Sequence, residues 1–191
     1  MVETGEAIRR FLEGEDDAFG RIVRQWEKKV FNLAWRMLGN REDAQDVVQE
    51  TFLSIFKSIR SLRDPGSFAT WLYKITLNHC RARLKSRSSR LLLNDIVSEQ
   101  GEDSGGILNV IPSSQNAGEA VETLDLVRKA LADLSEDHRT AIILKEYLGL
   151  SLEELAEVMN CPLSTAKSRL YHGLRGVQRN LKRMGIKLKE F

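Results

Sequence analysis

The sequence predicts an all-α protein: two small helical domains joined by a flexible acidic linker, the C-terminal domain a helix-turn-helix. Two observations point to helices. Apolar residues recur at three- and four-residue steps along most of the 191 residues, and no segment sustains the two-residue alternation of a half-buried strand. A third observation divides the chain. From about 91 to 120 the period fails and glycine, serine and acids dominate, as in "NDIVSEQGEDSGGILNVIPSSQNAGEA". The domains expected on this basis are 1–92 and 121–191, with the linker at 93–120.

Within the first domain, "EDDAFGRIVRQWEKKVFNLAWRML" sets Phe19, Ile22, Val23, Trp26, Val30, Leu33, Ala34 and Met37 on one stripe. Gly39 is placed to end that helix and Asn40 to cap the next. "REDAQDVVQETFLSIFKSI" repeats the period with Ala44, Val47, Val48, Thr51, Phe52, Ile55 and Ile59. "DPGS" is a turn by composition. "FATWLYKITLNHCRARLKSR" then resumes helix, with Phe68, Trp71, Leu72, Ile75 and Leu77 apolar. After the linker, the helical period returns at Val121 and runs through "SEDHRTAIILKEYL".

Composition excludes several classes. The apolar fraction is that of a folded chain. No apolar run reaches the roughly 20 residues of a membrane helix, and "MVETGEAIRR" lacks the apolar core of a signal peptide. A cytoplasmic protein without membrane insertion is expected. Cys80 and Cys161 lie far apart and form no CxxC pair, so neither a disulfide framework nor a zinc site is predicted; both read as small buried residues. His79, His138 and His172 are scattered, and no Gly-rich phosphate loop occurs. No catalytic residue, metal or cofactor is expected.

A net charge of +2 conceals segregation. Residues 74–90 carry six bases and no acid, 91–127 seven acids and no base, and 165–189 eight bases and no acid. Two basic blocks flanking an acidic connector suggest a polyanionic partner.

The stretch "SLEELAEVMNCPLSTAKSRLYH" sharpens this. Ser151 and Glu154 form a capping box, and Leu152, Leu155, Ala156 and Met159 make the buried face of a short helix. Asn160-Cys161-Pro162 supplies a turn. In the helix that follows, Ala166, Leu170, Leu174 and Val177 are expected on the packed side. Thr165, Lys167, Ser168, Arg169, Tyr171, His172 and Arg175 remain for the other faces. Donors of these types suit phosphates and base edges in a major groove. On pattern alone, a basic αα-hairpin remains an equal alternative.

Three stretches together resemble the bacterial extracytoplasmic-function sigma factors, the small two-domain class of RNA polymerase specificity subunits. "EDAQDVVQETF" is similar to the family's acidic helix, "FATWLYKITLNHCR" to its promoter-opening helix, and "CPLSTAKSRLYHGLR" to its recognition helix. They occur in the family's order and roughly its spacing, across nearly all of the chain. Where the family usually has glycine before the recognition-helix threonine, this chain has Ser164.

The resemblance implies the following roles. The N-terminal domain docks on the clamp helices of the polymerase largest subunit through Asp46, Gln49 and Glu50. It opens the −10 element with Asn78 and the loop containing Asp64, Ser67 and Phe68, while Lys74, Arg81, Arg83 and Lys85 grip phosphates. The C-terminal domain reads the −35 element through Thr165, Lys167, Ser168, Arg169, Tyr171, His172 and Arg175, and touches the polymerase flap. The acidic linker threads the RNA channel. The implied partners are core RNA polymerase, promoter DNA and an anti-sigma factor. The alternative is a free-standing helix-turn-helix regulator, although no ligand pocket or receiver domain is legible ahead of the motif.

Overall fold

The computed structural model describes residues 2–95, 129–131 and 133–186, and the chain divides into two compact units, Met1–Gly106 and Ile107–Phe191. No strand occurs among the described residues.

The N-terminal unit contains α1 (Val2–Leu12), α2 (Asp16–Leu38), α3 (Arg41–Ser58) and α4 (Phe68–Asp95). Two short 3-10 turns, Ile59–Ser61 and Pro65–Ser67, join α3 to α4. The expected stripe of α2 is buried at Ile22, Trp26, Val30, Leu33, Ala34 and Met37. Ala44, Val47, Phe52 and Ile55 of α3 and Leu72, Leu77 and Cys80 of α4 close the same core. Gly39 ends α2 in the left-handed region at φ 70°, donating its N–H to the Trp35 carbonyl, and the Asn40 side chain accepts from the Asp43 N–H.

Helix α1 precedes the first helix that the sequence predicts. Its Ala7, Ile8 and Phe11 are buried, and Thr4 ties it to α2. The Thr4 hydroxyl donates to Gln25 Oε1 at 2.8 Å and accepts from Trp26 Nε1 at 3.2 Å, which lets the indole N–H be buried at little cost. Trp26 also meets Phe68 edge-on, with ring centroids 5.6 Å apart.

Helix α4 extends through Asp95, three residues past the expected domain end at 92. Leucine and arginine in "RLLLN" have high helix propensity, and helix persists there without a sustained apolar stripe. The rest of the predicted linker, 96–120, lies outside the described residues.

In the C-terminal unit, a short helical piece at 129–131 precedes α5 (Glu136–Ile142), which runs into a π-helical turn at Ile143–Tyr147. Helices α6 (Leu152–Val158) and α7 (Leu163–Arg183) follow. The capping box is present: Ser151 Oγ accepts from the Glu154 N–H while Glu154 accepts from the Ser151 N–H. Asn160 turns the chain at φ 51° and Pro162 leads into α7.

The packed face of α7 differs from the expected one. Ala166 is buried, but the other buried positions are Gly173, Gly176 and Asn180, whereas Leu174 is 43% exposed. A Cβ on Gly173 would lie 2.9 Å from the His138 carbonyl oxygen, and one on Gly176 would overlap Leu134 Cδ2. These glycines let α7 approach its neighbours closely. Asn180 donates from Nδ2 to the Ala130 carbonyl at 2.9 Å, tying α7 to the 129–131 piece.

Candidate functional sites

The first site lies on α3. Asp46, Gln49 and Glu50 fall on one face of the helix, as a three- and four-residue spacing requires. Beside them an open groove of about 770 Å³ runs between α2 and α3, lined by Lys28 and Phe31 on one side and Gln45, Val48 and Gln49 on the other. The same face continues into two residues absent from the sequence-based set, Leu53 and Phe56, which are 59% and 52% exposed. Both fall off the apolar stripe, and that was the signal available: large apolar groups on a polar face. Phe56 packs against Phe19 and Phe11 at 5.1 and 5.5 Å, so its ring is held in place while one side stays open.

Asp46 and Glu50 are also ion-paired within the domain, to Arg83 of α4. Burial works against the Arg83 charge, but Glu50, Asp46 and Asp43 outweigh it and hold the guanidinium above its ordinary value. Glu50, His79 and Ser54 form a short chain, with His79 Nδ1 3.3 Å from Glu50 Oε2 and His79 Nε2 3.0 Å from Ser54 Oγ. This has the order of a nucleophile–base–acid relay. Ser54 and His79 lie inside helices, however, where backbone N–H groups are spent on helical bonds rather than forming an oxyanion hole.

The second site is the turn and start of α4. Asp64 accepts from the Gly66 N–H at 2.9 Å and from Ser67 Oγ at 3.0 Å, so these two predicted DNA residues first of all shape the turn. The Gly66 N–H, with help from the Ser67 hydroxyl, holds the Asp64 carboxyl below its ordinary value. Phe68 is a correction. It is 1% exposed and packed on Trp26, so its ring belongs to the core and not to a DNA surface. Trp71 is half-buried, 6.1 Å from the Phe68 ring, in keeping with core packing. Asn78 and Lys85 are exposed, and Lys74 and Arg81 half-buried, all on α4.

The third site is α7. Lys167, Ser168, Tyr171, His172 and Arg175 are exposed and share one face, while Thr165 is half-buried. The Arg175 guanidinium stacks on the Tyr171 ring at 4.6 Å, and His172 stands 6.1 Å from His138. Arg169 turns away from this group to Asp137 of α5. A basic, aromatic-bearing helix face behind a tight turn is the geometry of a DNA-reading hairpin. With the helical N-terminal unit, it defines the class as a two-part, all-α DNA-binding protein.

Comparison with known proteins narrows the class. Residues 22–90 match the family described as Sigma-70 region 2, and residues 124–175 match Sigma-70, region 4. The chain is 36% identical over 166 residues to the ECF RNA polymerase sigma-E factor of Haemophilus influenzae, covering 86% of this chain and 87% of that one. It is 32% identical over 178 residues to the RNA polymerase sigma-H factor of Pseudomonas aeruginosa, covering 92% of each. Among solved structures, its fold is similar to the sigma factor RpoE of Bartonella quintana, determined with the anti-sigma factor NepR (TM-score 0.69, 24% identity, 87% of this chain and 98% of that one). It is also similar to CnrH, determined with the cytosolic domain of CnrY (TM-score 0.68, 21% identity, 95% and 98%). The chain belongs to the extracytoplasmic-function sigma factors of RNA polymerase. It is thus a promoter-specificity subunit acting in transcription initiation, not a free-standing regulator. No helix among the described residues is long and apolar enough to cross a membrane.

Proposed function

We propose that this chain docks core RNA polymerase on the α3 face, opens the −10 element with α4 and reads the −35 element with α7. The observation carrying this is the α3 face itself. Asp46, Gln49 and Glu50 form an exposed polar row that runs into the open apolar pair Leu53 and Phe56, beside a groove wide enough for side chains of a partner helix. Carboxylates give charge-assisted bonds to a basic partner, and the apolar end supplies buried area. The partner of that chemistry is the clamp helices of the polymerase largest subunit; the C-terminal unit adds a contact to the flap.

On α4, Asn78 would bond a base released from the melted strand, since an amide reaches a base edge only after the base leaves the stack. Lys74, Arg81 and Lys85 would add phosphate contacts and salt dependence. Asp64 and Ser67 would shape the pocket loop. On α7, Lys167, Ser168, Tyr171, His172 and Arg175 would meet the −35 groove, with Thr165 and Arg169 closer to the packed side. The protein supplies no catalysis of its own; the polymerase does the chemistry in the cytoplasm. Both structural neighbours named above were solved with protein partners, one an anti-sigma factor, which supports control of this chain by a protein that masks the same faces.

Run-off transcription tests the reading. Purified core polymerase with the wild-type chain should give new transcripts from fragments sharing −35 and −10 elements. The triple substitution D46N/Q49A/E50Q should abolish them by preventing assembly with core. Retention of full transcription by that variant would sink the assignment of the α3 face.

A further inference from the structure

The basic run of α4 places Arg83 among phosphate-gripping residues, but its contacts lie elsewhere. Arg83 Nη2 is 2.7 Å from Glu50 Oε1, and Nη1 is 3.1 Å from Asp46 Oδ2 and 3.4 Å from Asp43 Oδ1. The Arg83 side chain is 28% exposed, against 54% for Asp46 and 44% for Glu50. The guanidinium is thus more enclosed than Asp46 and Glu50, which keep open edges toward solvent, while Asp43 is as enclosed as Arg83.

Three acids at positions 43, 46 and 50 crowd one helix flank and repel one another. Left alone, Asp46 and Glu50 would spread over several rotamers, each of which an incoming partner would have to freeze. A planar guanidinium can engage two carboxylates at once in fixed directions, which a lysine ammonium cannot. His79 adds a further restraint on the second oxygen of Glu50.

We infer that Arg83 is a positioning residue for the polymerase-binding face: it holds Asp46 and Glu50 in the arrangement that core polymerase meets, and it is not part of the DNA grip. The inference rests on the reading of α3 as the polymerase-binding face. It also links the helix that opens the promoter to the helix that holds the enzyme, through side chains 33 and 37 positions apart in sequence.

The test is a double-mutant cycle on the full chain. R83Q, E50Q and R83Q/E50Q are titrated against core polymerase by fluorescence anisotropy. Each preassembled holoenzyme is then titrated with a fork DNA carrying an unpaired −10 strand. R83Q should weaken core binding about fivefold, an effect of the size expected when an interface loses preorganisation. R83Q/E50Q should bind more tightly than the product of the single losses predicts, because Arg83 acts through Glu50. Fork binding by the assembled holoenzyme should be unchanged. R83K, which keeps the charge without the planar fork, should fall between wild type and R83Q; it decides the matter if R83Q lowers the thermal midpoint of the free protein.

Unchanged core binding by both Arg83 variants would overturn the inference, as would independent, multiplicative effects of R83Q and E50Q. So would a loss confined to fork DNA, which would return Arg83 to the phosphate contacts. If D46N/E50Q leaves core binding intact, the face is misassigned and the inference falls with it. If D46N/E50Q weakens binding while the Arg83 variants do not, the inference alone falls.

Discussion

Arg169 of the recognition helix reaches back to Asp137 of α5, with Nη2 2.6 Å from Oδ2. The pair is partly enclosed, at 26% and 40% exposed, and it fastens α7 to the helix behind it. An arginine committed in this way contributes to orientation more than to base choice. R169A and D137A should each lower stability by about 0.5–1 kcal/mol, and the double variant should lose little more than either alone. R169A should also weaken promoter binding by similar factors on all −35 sequences. Chemical denaturation checks the first expectation, and a panel of single-base −35 variants checks the second. A change of preferred −35 sequence would return Arg169 to the base-reading set.

Gly173 and Gly176 occupy the packed side of α7 and meet different obstacles. At Gly173 the obstacle is a backbone carbonyl, that of His138, which moves only with its helix. At Gly176 it is Leu134 Cδ2, the tip of a side chain that can rotate. Alanine gains about 1 kcal/mol over glycine in a helix interior. Overpacking against a fixed group costs about 1–3 kcal/mol. G173A should therefore destabilise the C-terminal unit, while G176A should be close to neutral. Thermal unfolding of the two variants side by side tests the contrast; equal effects would show that the packing around α7 yields at both places.

These glycines also mark where sequence reading stops. The period of Ala166, Leu170 and Val177 is visible because side chains write it, but glycine leaves no mark in an apolar pattern. The same spacing therefore places Leu174 inward, whereas it lies outward. Local devices were legible: the Gly39 stop, the Asn40 cap and the Ser151–Glu154 box each depend on residues within four positions. Phe68 is a different case. The apolar period already groups it with Trp71, Leu72 and Ile75, in keeping with its burial against Trp26, and only the family resemblance set it in the −10 loop. The contacts of Arg83 are not legible locally, because a basic run looks alike whether its charges face phosphate or distant carboxylates. Leu53 and Phe56 were readable in principle, as apolar residues off the stripe of α3.

Thr51 sits on the buried face of α3 with its side chain wholly enclosed, and its hydroxyl has no hydrogen-bond partner among the described residues. A buried unsatisfied hydroxyl costs about 1–3 kcal/mol, and replacing it with a methyl group of the same shape removes that cost. T51V should raise unfolding stability by about 1 kcal/mol, less a small helix-propensity change. Core binding and promoter selection should be untouched, because the side chain reaches neither surface. A urea melt of the two proteins decides it; a destabilised T51V would mean that the hydroxyl does bond in solution, to the backbone or to a trapped water.

Asp64 gives a pH dependence with a definite sign. Its carboxyl is held below its ordinary value by the Gly66 N–H first and then by the Ser67 hydroxyl. A carboxyl whose folded value is depressed contributes stability above its unfolded value and loses it as pH falls through the folded one. The turn ahead of α4 should therefore be firm at neutral pH and loosen only in acid, below the ordinary carboxylate range. D64N keeps the shape but lacks the charge. Its stability deficit relative to wild type should be full at neutral pH and shrink toward zero as pH falls through the Asp64 transition. Carbon-detected NMR titration of the Asp64 side chain gives the folded value directly, and paired urea melts across acidic pH give the deficit. An Asp64 transition at or above the ordinary aspartate value, or a deficit independent of pH, would mean that the turn does not draw on this charge. In that event the loop at the start of α4 would be shaped by Pro65 and its flanking helices alone.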